Sequence, residues 1–195
     1  MKIRSVTGVI ATVSASLYLV LSAQALHAAS IDALDDNAQT AIKALGGALQ
    51  AEIKGAMKQA GPVAAIATCN EQAMPITAKT STEQGMDISR TALRIRNPDN
   101  QADSWELGVL QQFQQRQAEG EPLMGMVYSA IVEQEGQQVY RMMRAIPTQA
   151  VCLNCHGKDL DPEVAQKLTA LYPQDKATGF AVGDLRGAFS VRKVL

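Results

Sequence analysis

Residues 152–156 read Cys-Leu-Asn-Cys-His, and this stretch limits what the chain can fold into more than any other. Cys-x-x-Cys-His is the attachment sequence of a c-type haem. Two thiols three positions apart can both reach the vinyl groups on one edge of a porphyrin and form thioether bonds. The imidazole that follows then lies under the ring, where it can bind the iron from one side. A chain built this way folds around a large flat apolar group. Two other readings of the cysteine pair are weaker. A thioredoxin-like dithiol sits near a βαβ pattern, which the sequence does not display. A zinc site needs a fourth good ligand, and Cys69 is the one obvious addition.

The N-terminus agrees with that chemistry. Lys2 and Arg4 form a basic start, Val6 to Leu21 is mostly apolar, and Ala23-Gln24-Ala25 and Leu26-His27-Ala28 are small-residue cleavage sites. The expectation is an export leader over residues 1–28, cut after Ala25 or Ala28, with residues 29–195 forming one haem-binding domain in the periplasm. That compartment is also where c-type haem is attached. The alternative is an uncleaved membrane anchor, for which the apolar stretch is near the lower length limit. No cysteine lies at the cleavage region to carry a lipid.

The remaining length is enough for one domain with a core. A 47% hydrophobic and 19% charged composition is that of a globular protein. The net charge of −1 and the lack of Lys/Arg runs exclude nucleic acid as an expected partner. Apolar residues at Ile31, Leu34, Ala38, Ile42, Leu45, Leu49, Ile53 and Met57 predict one long amphipathic helix to Ala60, with Gly46-Gly47 as a bend and a second copy of the chain as a candidate partner along it. Gly61-Pro62 ends that helix and can open another. Met74 to Gln84 reads as a polar loop, Met86 to Arg96 as a strand and Asn97 to Asn100 as a turn. Ser104 to Ala118 reads as a helix with Trp105, Leu107, Leu110 and Phe113 inward. A hairpin follows, Met124 to Glu133 and Gln138 to Ile146, turning at Glu135-Gly136. Pro147 closes it and the Cys-x-x-Cys-His motif comes next. A helix over Glu163 to Leu171 and a strand around Gly187 to Val191 complete an α+β domain with an antiparallel sheet.

Histidine count sharpens the site. The chain has His27 and His156, and His27 lies at the cleavage region, so a bis-histidine haem is excluded. The far side of the iron is left to Cys69, a Met, a Lys, water or nothing. Cys69 is an odd cysteine in an oxidising compartment, where iron ligation would protect it; the plainer reading is a buried small hydrophobe. Met is the runner-up, with Met74, Met86, Met124, Met126, Met142 and Met143 all present in the mature region.

Several segments occur in a recognisable order: Pro62 to Cys69, Arg90-Thr91, Arg94 to Asn100, Cys152 to Gly157, Tyr172 to Gly179, and Gly183 to Val191. In these the chain resembles a bacterial domain-of-unknown-function family of single-haem c-type proteins with a PAS-like fold, from about Ala33 to Val191. The resemblance implies a PAS-like antiparallel sheet flanked by helices. It implies one covalent haem c held by His156 on one side and the Cys69 thiolate on the other. It also implies a sensory role.

Arg90, Arg94, Arg96, Arg144, Lys158 and Arg186 are candidates to pair with the haem carboxylates, an Arg fork suiting a carboxylate. Arg96 and Arg186 come first because they lie in the family-like segments. No catalytic set is visible, since a Ser-His or Cys-His pair would need His156, so the chain is read as a non-enzyme. Two functions compete: a haem-based redox or gas sensor responding to CO or NO, and an electron-transfer cytochrome c with a Met ligand. A peroxidase-like enzyme is weaker, for want of a second histidine. A sensor would need a separate signalling or redox partner protein.

Overall fold

Two runs of alternating residues meet at Glu135-Gly136, and both turn residues take left-handed backbone angles (φ 53° and 75°). That is the two-residue turn whose twist matches a hairpin. It joins β2 (Val127–Gln134) to β3 (Gln137–Pro147), with Gln134 opposite Gln137. β4 (Leu185–Val194) pairs with β3 on one side and with β1 (Asp87–Thr91) on the other. The result is a four-stranded antiparallel sheet in the order β1-β4-β3-β2.

The computed structural model describes the backbone from Thr12 to Leu195 and the side chains from Ile31 onward. The expected leader and His27 therefore lie outside the described side chains. The chain divides into two units, Met1–Asn37 and Ala38–Leu195, and the second holds the sheet and the candidate site. Among the described residues no helix is long and apolar enough to cross a membrane.

Helices flank the sheet. Alternation along the strands sends Met143, Ala145 and Ala188 to one face. There they pack with Val109, Leu110 and Phe113 of α2 (Ser104–Ala118), and with Leu123 and Met126. α2 starts where the sequence places it, because Asp103 accepts from the Glu106 backbone N–H while the Glu106 carboxylate accepts from that of Asp103. Leu107, expected inward, is 42% exposed. Glu106 takes the buried position instead and pairs with Arg141 at 3.4 Å. The opposite face carries Met142, Phe189 and Val191 by the same alternation. Gly46 of α1 (Thr12–Gln84) lies over Phe189, where a Cβ would come within 3.2 Å of the ring. Ala38, Ala41, Ile42, Leu45 and Leu49 of the same helix are buried, each Leu or Ile contributing roughly 1.5–3 kcal/mol.

Three expectations need correction. Helix α1 does not bend at Gly46-Gly47. Its break lies where Gly61-Pro62 was expected to end it, at Ala60 (φ −147°, ψ 17°) and Gly61 (φ 75°, ψ −170°), and Pro62 opens the next run. Met74 to Gln84 is not a loop but the last turns of that run. Its threonine hydroxyls are satisfied on the helix itself, Thr77 donating to Ala73 O at 2.7 Å and Thr80 to Ile76 O at 2.8 Å, while Ser81 Oγ donates to Ile88 O and accepts from Ile88 N. Finally, β1 stops at Thr91 rather than Arg96. Thr91 Oγ1 bonds to Asn100 O, and the chain from Ala92 leaves the sheet, which frees Arg94 and Arg96 for the region around the cysteine pair.

Candidate cofactor site

β3 runs out at Pro147 into a 3₁₀ turn (Ala150–Cys152) and then into the four-residue helix α3 (Leu153–His156). Cys152 and Cys155 are thus one helical turn apart, on one side of it. Cys69, Cys152 and Cys155 are all half-buried free thiols. After α4 (Pro162–Leu171) the chain returns alongside the motif. Phe180 N donates to His156 O, and Gly179 N donates to Gly157 O.

That return fixes the imidazole. His156 Nδ1 lies 2.6 Å from the carbonyl of Ala177, a fully buried residue. A carbonyl can only accept, so Nδ1 carries the proton and Nε2 keeps its lone pair. Burial first, then the nearby Arg186 and Arg96 charges, push the His156 pKa down to about 3 against the pull of the Ala177 bond. The ring is neutral at ordinary pH, which is the state that binds a metal. Phe180 stands edge-on to it, with centroids 6.3 Å apart.

Arg96 braces this arrangement. Its Nε donates to Asp175 Oδ2 at 2.9 Å, and its Nη2 donates to the carbonyls of Cys155 (2.6 Å) and Ala177 (3.2 Å). One guanidinium therefore ties the cysteine pair to the carbonyl that orients the histidine. Arg186 reaches the site by a different device. Ile146 pairs with Gly187 and Pro147 with Leu185, so Arg186 is the extra residue of a β-bulge. The bulge aims it across the Phe180 ring at 5.4 Å, with Arg94 over the same ring at 4.3 Å.

Cys69 comes from the helical run after the Gly61 break. Ile66, one turn earlier on the same face, packs with Val164, Leu168 and Tyr172, and Cys155 lies against that cluster. Burial raises the Cys69 pKa, Arg90 works in the opposite direction, and Cys155 adds to the rise. Tyr172 bonds to Asn70, the next residue. The structure therefore gathers Cys69, Cys155, His156, Arg96 and Arg186 into one region. The six methionines fall elsewhere in character. Met86, Met126, Met142 and Met143 are core residues at 5% exposure or less, whereas Met74 and Met124 are exposed.

The charge balance tests what this region can hold. Burial, Arg96 and Arg90 draw the Arg186 pKa down to about 10. Asp175, the carboxylate facing Arg186, is already paired with Arg96. Arg186 itself makes one long bond, 3.4 Å to Arg94 O. Arg90 Nε is buried with no hydrogen-bond partner. Buried cations lacking an anion are costly, so the region suits a guest that brings carboxylates. A porphyrin with two propionates fits that demand, and the two thiols and the free Nε2 fit its other edge and its iron. Among the described residues no group of three or more His, Cys, Asp or Glu could hold a metal ion, so the zinc reading finds no ligand set.

Sequence reasoning missed the roles of Ala177, Asp175 and Phe180. Ala177 acts through its carbonyl, which no residue type signals. Asp175 and Phe180 had no visible partner until the return of the chain placed them.

The comparisons with known proteins come down on one family. No curated protein matches. A solved structure, that of the cyanobacterial heme-protein Tll0287, aligns with a TM-score of 0.55 at 21% identity, covering 85% of this chain and 94% of that one. At that identity the likeness concerns the fold. The sequence profile described as Tll0287-like matches residues 19–193, nearly the whole length, and the chain belongs to the Tll0287-like family.

Proposed function

We propose that the protein is an exported c-type haem protein and a redox or gas sensor, its sheet a PAS-like sensory scaffold. One haem c is held through Cys152 and Cys155. His156 Nε2 is the ligand on one face of the iron and Cys69 on the other. Arg186 faces a propionate. The similarity to a heme-protein supports the cofactor. The observation that carries the reading is the neutral His156 ring, anchored by Nδ1 to Ala177 O with Nε2 free, inside Cys-x-x-Cys-His.

When bound, the haem supplies a one-electron centre whose reduced form can take CO or NO. The chain's own residues then decide the response. Arg96 and the 176–180 return hold His156 rigidly, so that side of the ring stays fixed. Cys69 is on a different footing. Its burial favours the neutral thiol over the thiolate, so uptake of a proton at Sγ would release it. The residues that carry it run from the break at Ala60-Gly61 to Gly85 (φ 62°). A change at Sγ can therefore be passed to one helical segment as a unit, and a ligand favouring the released state would bias it. That movement is something an electron carrier does not need, and a separate partner protein would read it.

Spectra of the purified haem protein test this. Ferric wild type should be low-spin with a sulfur-to-iron charge-transfer band, Cys69→Ala should lose the band, and the reduced protein should bind CO or NO. A band absent from wild type, or a reduced protein closed to both gases, overturns the sensor reading. A spectrum altered by one Met substitution instead of Cys69→Ala moves the function to electron transfer.

A further inference from the structure

The Asp175 carboxylate uses both of its oxygens, and both lead to His156. Oδ1 accepts from the Ala177 backbone N–H at 2.7 Å, the turn an Asp side chain closes with its own chain two residues on. Oδ2 accepts from Arg96 Nε at 2.9 Å, the two side chains being 10% and 12% exposed. Through Nη2, Arg96 donates to Ala177 O and to Cys155 O, the carbonyl of the peptide that leads into His156. The His156 ring donates to the same Ala177 O at 2.6 Å. One carboxylate thus fixes the acceptor of the ring bond from the backbone side. Through Arg96 it fixes that acceptor again, together with the main chain of the donor. Neighbouring anchors do not replace it. Lys176 N donates to Ile95 O, Gly179 N to Gly157 O and Phe180 N to His156 O, and Arg94 Nε donates to Lys176 O. These set the course of the returning chain, but the Ala177 N–H goes to Asp175.

We propose that Asp175 is a positioning residue for the iron ligand: by holding the Ala177 backbone and Arg96 together it keeps the His156 Nδ1–H bond short and so lowers the reduction potential of the haem. This rests on the reading of His156 as a ligand and deepens it. A carbonyl held close to Nδ1–H makes Nε2 the more basic donor to a metal. A more basic ligand favours ferric over ferrous iron, and hydrogen bonds behind the ligand are one of a protein's levers on haem potential. Loss of the carboxylate would let Ala177 O drift from the ring and leave Arg96 a buried cation without its anion. The potential would then rise.

The test uses haem-loaded wild type, Asp175→Asn, Asp175→Glu, the double variant Asp175→Asn/Arg96→Leu, and His156→Gln. A spectroelectrochemical titration reads the midpoint potential, and a haem-stained denaturing gel reads attachment. Asp175→Asn should raise the potential, so that at the wild-type midpoint reduced haem exceeds oxidised haem at least threefold, with attachment unchanged. Asp175→Glu keeps the charge but is too long to close the turn onto Ala177 N–H, and should shift the same way. If Asp175→Asn does not fold because Arg96 is left unpaired, the double variant removes that charge and carries the same expectation. A raised potential in Asp175→Asn with a wild-type value in Asp175→Glu assigns the effect to charge alone and overturns the positioning role. An unchanged or lowered potential in Asp175→Asn overturns it as well. A His156→Gln protein whose haem spectrum and potential match those of wild type removes the ligand assignment and the Asp175 role together.

Discussion

His156 shows how much one carbonyl can decide. Its ring is neutral because burial and three arginines, Arg186, Arg96 and Arg90, oppose its charge, and its tautomer is fixed because Ala177 O can only accept. The same facts set a pH dependence for the chain without haem. In the unfolded chain the imidazole titrates near its ordinary 6.5, and in the fold near 3. Between these values the unfolded state binds more protons, so stability falls as pH drops from 6.5 toward 3 and is unaffected by this group above 6.5. Full expression of the shift would be on the order of a few kcal/mol. Urea midpoints measured across that window should decline on the acid side, and His156→Gln should flatten the decline. A wild-type profile no steeper than that of His156→Gln would show that the ring is not held neutral.

At the scale of elements, β4 does two jobs within four residues. Leu185 and Ala188 both join the α2 core, which ordinary alternation would not allow at that separation. The bulge at Arg186 absorbs the extra residue and turns its side chain toward Phe180 and His156. Gly187 makes the bulge possible, because a Cβ there would run into the Thr91 carbonyl oxygen and come within 2.9 Å of Ala92 Cβ. Gly187→Ala should cost about 1–3 kcal/mol from overpacking, read as a lower thermal midpoint. It should also disturb the site, since Arg186 moves with the bulge. A variant as stable as wild type would mean the two strands can part without loss. The bulge was not legible in the sequence, because an extra residue in a strand shows only against its partner's register. The hairpin and α2 were legible, since a two-residue turn and a capping box are local signals. The length of the helical run after the Gly61 break was misread for the opposite reason. Polar threonines from Thr77 to Thr82 look like a loop until their hydroxyls are seen bonded to carbonyls four residues back.

Across the whole molecule, the Cys-x-x-Cys-His motif could be read directly while its surroundings could not. Cys152, Cys155 and His156 announce themselves by spacing, and Cys69 by being the odd thiol. What the sequence leaves open is which arginine does what. Arg96 and Arg186 were both expected at haem carboxylates. The fold commits three donor bonds of Arg96 to Asp175, Cys155 and Ala177 and leaves Arg186 and Arg90 short of partners. That imbalance arises only when segments some ninety residues apart converge, as Arg94 and Arg186 do. All of it turns on one premise, that the chain is built around a single haem bound covalently. Intact mass of the purified protein under denaturing conditions tests this most directly. The account predicts a chain beginning after Ala25 or Ala28 that carries the added mass of one haem, and the loss of that mass when Cys152 and Cys155 are both replaced by Ser. A chain of unmodified mass, with its haem released on unfolding, would contradict it.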